Sequence, residues 1–469
     1  MTRHRLLAGP VPIGWITVVI LLLMATVSYL DRQIISLMVE PIKADLKVGD
    51  FEIGLLQGIA FGAFYALCGL PLGWMVDRFQ RRIVIFSGVS LWSLATIACG
   101  LAGSFSHLLL ARFFVGIGEA SLSPAAYSIL ADLFPRKRLA LVMSVFGLGT
   151  VIGSVLAFVI GGLLIGHFAD VDHFTLPLLG DFRPWQIIFG IVGLPGLIVA
   201  ILIFLVPEPK RDIHAAVVGT TATGVMPFLR GHKRYFLCHF AGFSCMGIQA
   251  YATGAWLPVL MIRRFDIGAT TVGPLMGLVL MVGALPGFLW SGWFIDRWFS
   301  RGTTDAHLRY FVYTCALSAV VGAIAFGFSN SLLMLIPLAI LLQFILPVTG
   351  AAGAHLQIVT PPQYRGRISA LFMLVFNLIG MCVGPTSVGF ITDFVFGDPG
   401  RVNASLAIVY TLAGLTSSAL FAWGLEPARR AVAASESADR PESRASPSDD
   451  RISASPAHPL AAPLTGTAR

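Results

Sequence analysis

Gly73-Trp74-Met75-Val76-Asp77-Arg78 and Gly292-Trp293-Phe294-Ile295-Asp296-Arg297 lie 219 residues apart, and each closes a long apolar run. A second pair of matches has nearly the same offset: Gly149 and Gly153 in one run answer to Gly380 and Gly384 in another, 231 residues on. Two such coincidences mark an internal duplication, with the same small-xxx-small face in the equivalent helix of each copy. Around these strings the chain of 469 residues is 56% apolar and only 12% charged, far from a soluble globular composition. A membrane span takes roughly 20 apolar residues. The runs at 14–39, 52–76, 83–104, 107–133, 138–166, 185–206, 235–262, 270–295, 309–328, 331–354, 367–392 and 403–425 therefore predict twelve transmembrane helices, here called spans 1 to 12. The expected architecture is all-α, in two pseudo-symmetric halves of six helices at 1–206 and 235–426. A cytoplasmic linker at 207–234 joins them, and a disordered cytoplasmic tail at 427–469, rich in Ala, Ser, Pro and Arg, follows.

The net charge of +8 is a matter of placement. The even-numbered loops carry Arg78, Arg81 and Arg82, then Arg136, Lys137 and Arg138, then a basic middle stretch and further Arg residues. The odd loops hold only Lys43, Lys47, Arg183, Arg263, Arg264 and Arg401. This is the positive-inside pattern, which predicts both termini in the cytoplasm of a multi-pass protein of the plasma or inner membrane. It argues against nucleic acid, which needs cations and stacking aromatics gathered on one folded surface. All six cysteines fall inside apolar runs without metal-ligand spacing, so they read as small packing residues, and no metal or cofactor is expected. No phosphate-binding GxxxxGK[ST] occurs, which leaves an ion gradient or the substrate's own gradient as the energy source. The first run is too long for a signal-peptide core and is expected to be retained. The sequon at Asn403 lies too close to a span to read as a glycosylation site.

Charges inside a span are expensive and usually paired or functional. Spans 7 to 12 hold none between their ends, whereas the first half has Asp31 and Arg32 in span 1 and Arg112 and Glu119 in span 4. A helical rise places Asp31 roughly 5 Å and Arg112 roughly 9 Å below the outer surface, level enough to pair, with Glu119 two turns deeper. An acid at mid-depth beside an Arg and a second acid is a proton-relay candidate, because burial and the cation bias its protonation in opposite senses. The plainer alternative is a structural cluster holding spans 1 and 4 together.

Gly73 through Arg82 resembles the loop 2–3 signature of the major facilitator superfamily, with Gln80 where that signature usually has Gly. The resemblance suggests a cytoplasmic latch. Asp77 would face the N-terminus of span 11, Arg78 would pair with Asp132, and Arg82, Asp296 and Arg297 would complete the two copies. Tyr29-Leu30-Asp31-Arg32, Leu91-Trp92-Ser93-Leu94, Arg112 through Ser121 and Ala131-Asp132-Leu133-Phe134-Pro135 resemble the spinster family of facilitators over about 14–206, and the second half more loosely. What the resemblance implies is transport of an amphiphile such as a lysophospholipid or sphingoid lipid, by proton coupling or facilitated diffusion. Asp31, Arg32, Arg112 and Glu119 match the family's buried charged positions. An amphiphile suits a cavity with charge in one half and aromatic and sparse polar groups in the other, for which Gln57, Tyr65, Tyr127, Gln249, Tyr251, Trp256, Gln343 and Asn377 are the candidates. His355, near the inner end of span 10, reads as an isolated interfacial histidine.

The expectation is thus a monomeric transporter, not an enzyme, that moves a small-molecule or lipid-like substrate by alternating access, with protons as the candidate coupling ion and lipids as its surroundings. Within the same class stands a proton symporter of polar organic anions, whose members share the Tyr-x-Asp-Arg string. From other classes stand a non-transporting membrane sensor and an intramembrane enzyme, for which signalling domain and nucleophile are respectively missing from the sequence.

Overall fold

The structure, a computed structural model, describes residues 11–168, 171, 173–176, 180–208, 225–346, 349–361 and 364–438. Among the described residues, eleven helices are long and apolar enough to cross a membrane: Ile13–Leu37, Asp50–Arg78, Arg81–Gly100, Phe105–Leu133, Leu141–His167, Pro184–Leu205, Lys233–Phe265, Ala269–Ser300, Ala306–Phe328, Arg365–Phe396 and Pro399–Ala434. They are spans 1 to 9, 11 and 12. Span 10 is broken into Leu332–Ile345 and Thr349–Val359. The first helix ends at Leu346, whose backbone (φ −118°, ψ 57°) is not helical, and residues 347–348 lie outside the described residues. A short hairpin, β1 (Phe174–Leu176) on β2 (Gly180–Phe182), lies between spans 5 and 6.

The duplication is visible in the backbone. Lys47 and Asp266, the two non-glycine residues with positive φ (53° and 52°) among the described residues, end the first helical segment of each half. They too are 219 residues apart, and each is followed two positions on by the glycine, Gly49 or Gly268, that caps the next span. Within the halves, Gly149 and Gly153 seat span 5 on Leu22, Ala25 and Thr26 of span 1, and Gly380 and Gly384 seat span 11 on Gly247, Ile248 and Tyr251 of span 7.

Between the halves the same device recurs. Gly54 and Gly58 of span 2 lie against Pro385 and Thr386 of span 11, where a Cβ at Gly54 would come within 2.8 Å of the Pro385 carbonyl oxygen. Gly273, the duplicate of Gly54, meets the Phe158 carbonyl of span 5 so closely that a Cβ has no room. These contacts lie toward the odd-loop end of the molecule. The polar links between the halves gather there as well. Arg263 at the end of span 7 donates to both carboxylate oxygens of Asp50 (2.7 and 2.8 Å), to Glu40 (2.7 Å) and to the Pro399 carbonyl (2.9 Å), and the Phe51 amide donates to Asp393 (2.7 Å). Lys43 also pairs with Asp50, which is fully buried. Toward the even-loop end, Gly69, Gly73 and Gly292 have nothing within 4 Å of a Cβ, and Leu67, Leu70, Trp74, Leu289 and Trp293 are exposed. The halves meet at the odd-loop end and diverge toward the other.

Two boundaries differ from expectation. The helix of span 12 runs over Val402–Ala438, so the predicted disordered tail does not begin at 427. Ala428, Ala431 and Val432, spaced to share one helix face, are buried in the cluster that holds Tyr235 and Leu308, and Arg429 pairs with buried Asp305 at 2.7 Å. Alanine, discounted as a tail residue, is also the best helix former. Residues 439–469 lie outside the described residues. In the linker, Val225–Gly231 is helical and 209–224 are outside the described residues.

Candidate functional site

Span 4 carries Val115-Gly116-Ile117-Gly118-Glu119, and each glycine admits a neighbour. A Cβ at Gly116 would strike the Phe61 carbonyl of span 2, and at Gly118 it would lie 2.6 Å from the Gly88 carbonyl oxygen of span 3. Spans 2 and 3 therefore close on span 4 at the level of Glu119, and span 1 completes the enclosure. Asp31, Arg112 and Glu119 are exposed by 0%, 1% and 2%.

Expectation put Asp31 level with Arg112. Instead Arg32 donates to Glu119 Oε2 at 2.6 Å, and the Ser28 hydroxyl donates to the same oxygen at 2.8 Å. Asp31 and Arg112 do lie within electrostatic reach of each other, with Cys99 beside both, but no hydrogen bond joins them. Span 1 turns Arg32 toward Glu119 and Asp31 toward Thr96 of span 3. The Arg32 guanidinium is caged by Tyr29 (4.5 Å), Phe61 (4.5 Å) and Tyr65 (5.0 Å). On Phe61 it shares the ring with Arg112, 5.3 Å away.

Asp31 and Arg112 are left over. Asp31 accepts one hydrogen bond, from Thr96 of span 3 at 3.2 Å, and its Oδ1 is buried without a partner. Arg112 Nε and Nη1 are likewise buried and unpartnered. Four buried charges that sum to zero form one tight pair and leave one unmade, and an unmet buried charge is held at a penalty that a ligand or proton would relieve.

The aromatic and polar candidates divide. Tyr65 and half-buried Gln57, whose Nε2 lacks a partner, lie on span 2 with the cluster. Across the interface, Tyr251 donates to Asn377 at 3.1 Å and lies within electrostatic reach of Arg32. Gln249 and Gln343 line a small pocket of about 20 Å³ inside the second half, but Gln249 is fully buried and tied by its Nε2 to Ser318 and the Tyr410 carbonyl. Trp256 does not line a cavity in this conformation. It is 0% exposed and donates its indole N–H to the Pro385 carbonyl at 2.9 Å, fastening span 7 to span 11. Tyr127 is exposed and packs edge-on to Phe146. Ser28, Thr96 and Phe61 were missed. Ser28 had a signal, one turn before Arg32 on the same face; Thr96 and Phe61 are neutral residues in apolar runs and had none.

At the even-loop end the expected Arg78–Asp132 pair is not formed. Asp132 is bound by Arg81 at 2.5 Å, and Arg81, 1% exposed, also reaches Ser128 (2.9 Å) and Glu208 (3.0 Å). Arg82 donates its amide to Glu208 and its guanidinium to the Val206 carbonyl. Arg78 lies instead over Trp74, one turn back on its own helix, and Arg297 over Trp293 in the duplicate. Asp77 and Asp296 are exposed beside them.

Comparison with known proteins agrees with this architecture. Residues 21–385 match the family model of the Major Facilitator Superfamily. An MFS-type efflux pump of Mycolicibacterium smegmatis is 28% identical over 89% of this chain and 93% of its own. The sphingosine-1-phosphate transporter SPNS2 of Mus musculus is 28% identical over 78% of this chain and 68% of its own. A crystal structure of a bacterial homolog to the human lysosomal transporter spinster, in an inward-facing and unoccupied conformation, superimposes with a TM-score of 0.70 at 24% identity, covering 91% of this chain and 98% of that one. The duplicated six-helix halves, the buried charges of spans 1 and 4 and this match place the chain in the Major Facilitator Superfamily of transporters, where it resembles the spinster proteins.

Proposed function

We propose that this transporter moves an amphiphilic, lipid-like or organic-anion metabolite by alternating access, with Asp31, Arg32, Arg112 and Glu119 as its coupling and gating cluster. The observation that carries the reading is the unmade pair. Arg112 offers an anionic head group a desolvated cation, and Asp31 offers a proton a carboxylate with one vacant oxygen. The Tyr251–Asn377 pair faces them from the other half, and an apolar tail would lie along the aromatic surfaces of spans 2 and 7. The charge distribution supports a reading in which the even-loop end faces the cytoplasm from a plasma or inner membrane, and in which the protein works as a monomer with its inward side open. Arg81, Asp132 and Glu208 brace the inner rim of the first half, while Asp77, Arg78, Asp296 and Arg297 engage the opposite half when that end shuts.

The test is flux into proteoliposomes under an imposed pH gradient, with a labelled lysophospholipid against a labelled sugar acid. Uptake of the lysolipid that responds to the gradient supports the reading. Movement of the sugar acid alone would assign the protein to polar-anion symport instead.

A further inference from the structure

His355 is not isolated. The second helix of span 10, Thr349–Val359, brings it to His239 of span 7 and His307 of span 9. The His307 and His355 rings stack with centroids 5.1 Å apart and planes 15° apart, and His239 lies 6.0 Å from His355 at 25°. All three are buried, at 0% exposure for His239 and His355 and 3% for His307. The Tyr235 hydroxyl sits 3.0 Å from His355 Nδ1. Both ring nitrogens of His239, Nδ1 of His307 and Nε2 of His355 are buried without a hydrogen bond, although the Ala352 carbonyl of span 10 lies near His239.

Buried polar atoms in folded proteins nearly always have partners, so three histidines in one place, with only the Ala352 carbonyl and the Tyr235 hydroxyl to serve them, need a reason. Phenylalanine would fill the same space without that penalty, as Phe243 and Phe372 do beside His239. Near-parallel rings do not converge on one point, and no group of three His, Cys, Asp or Glu among the described residues could hold a metal ion. The remaining ligand of an imidazole is a proton.

We propose that His239, His307 and His355 form a second proton-binding site, separate from the acids of the first half, whose occupancy controls whether Thr349–Val359 stays packed on spans 7 and 9. The charged and titratable surroundings are few. Span 7 contributes Tyr235 with Lys233 and Arg234 at its start, and span 8 contributes Asp296, which acts on His307. Span 9 contributes Tyr310 and Arg309, and the Asp305 carboxylate before it is taken by Arg309 and Arg429. Spans 11 and 12 present Phe372 and Phe421, while Arg365 at the start of span 11 is bound to the Thr360 carbonyl. Among the described residues, no carboxylate is hydrogen-bonded to His239, to Nδ1 of His307 or to Nε2 of His355. A proton on any of them therefore favours the arrangement in which Thr349–Val359 lifts and lets water or Asp296 reach the charge. Opening then rises as pH falls, by up to about tenfold per pH unit for each proton linked to it.

Hydrogen exchange of the full chain in lipid nanodiscs, followed in peptides covering Thr349–Val359 and corrected for the intrinsic pH dependence of exchange, tests this. Between about pH 8 and about pH 5.5 the corrected exchange of this segment is expected to accelerate in the unmodified protein. The acceleration should flatten in His239→Gln and His355→Gln and persist in Glu119→Gln. A flat profile in the unmodified protein overturns the proposal without any variant. So does a slope that survives both histidine substitutions or disappears in Glu119→Gln, or protection of the segment by added Zn2+, which would replace the proton with a metal.

Discussion

Arg263→Gln should release the odd-loop end. Arg263 is the sole residue of span 7 seen to bridge to both Glu40 and Asp50, and its guanidinium meets the Asp50 carboxylate with two hydrogen bonds of 2.7 and 2.8 Å. The side chains are 10% and 0% exposed, so this is a buried pair joining the halves. Removing one member of a buried pair costs about 3–5 kcal/mol. Lys43 remains on Asp50, which favours the lower end, and the Glu40 contact, 42% exposed on the acid, adds about 1 kcal/mol at most. Because the halves must part here for the site to open the other way, a loss of about 3 kcal/mol shifts the ratio of the two conformations by about 150-fold. Spin labels at exposed Lys47 and Arg401, with partly accessible Cys68, Cys245 and Cys382 replaced by Ser, read the separation directly. The expected result is a new long-distance population in Arg263→Gln and a similar one in Asp50→Asn, with the double variant much less than additive. A distance distribution identical to that of the unmodified protein would refute the lock.

Gly54→Val should push the same labels apart by overpacking span 2 against Pro385, at about 1–3 kcal/mol, while Gly73→Val, with open space around it, should leave them unmoved; equal effects would sink the argument. Glu119→Gln should abolish pH-driven uptake in proteoliposomes while substrate exchange persists at normal membrane expression, and intact coupling would remove Glu119 from its role. In detergent, Arg81→Gln should lower the thermal midpoint through a loss of about 2 kcal/mol, that of hydrogen bonds to partly exposed acids, whereas Arg78→Gln, which gives up its stack on Trp74, should lose about 1 kcal/mol or less; a reversed order would restore Arg78 as the partner of Asp132.

The spans and the duplication were legible because lipid demands long apolar runs and because the Gly-Trp…Asp-Arg string recurs at one offset. The same offset held a second message that was overlooked. Gly54 and Gly58 repeat as Gly273 and Gly277, and they lie where the two halves pack against each other. The four buried charges could be found by their rarity, but not their pairing. That depended on how span 1 is rotated against its neighbours, which turns Arg32 to Glu119 and Asp31 to Thr96 and which an apolar run does not encode. Trp256, expected in the cavity, is buried against span 11 instead, because an indole N–H can be satisfied equally by a substrate or by a main-chain carbonyl such as that of Pro385. The histidine cluster was invisible for a different reason: His239, His307 and His355 lie on three different spans, far apart in sequence, and only their packing assembles them.

The helix that ends span 12 has 37 residues, which at about 1.5 Å each is about 55 Å, against a hydrocarbon core of about 30 Å. It therefore emerges from the bilayer as a post, held past Pro427 by buried Ala428, Ala431 and Val432 and by Arg429 on Asp305, and whatever is attached after it inherits the orientation of the second half. A fluorescent domain joined directly to that post would rotate with the rocking bundle, so its polarisation could follow each transport cycle without a label inside the membrane.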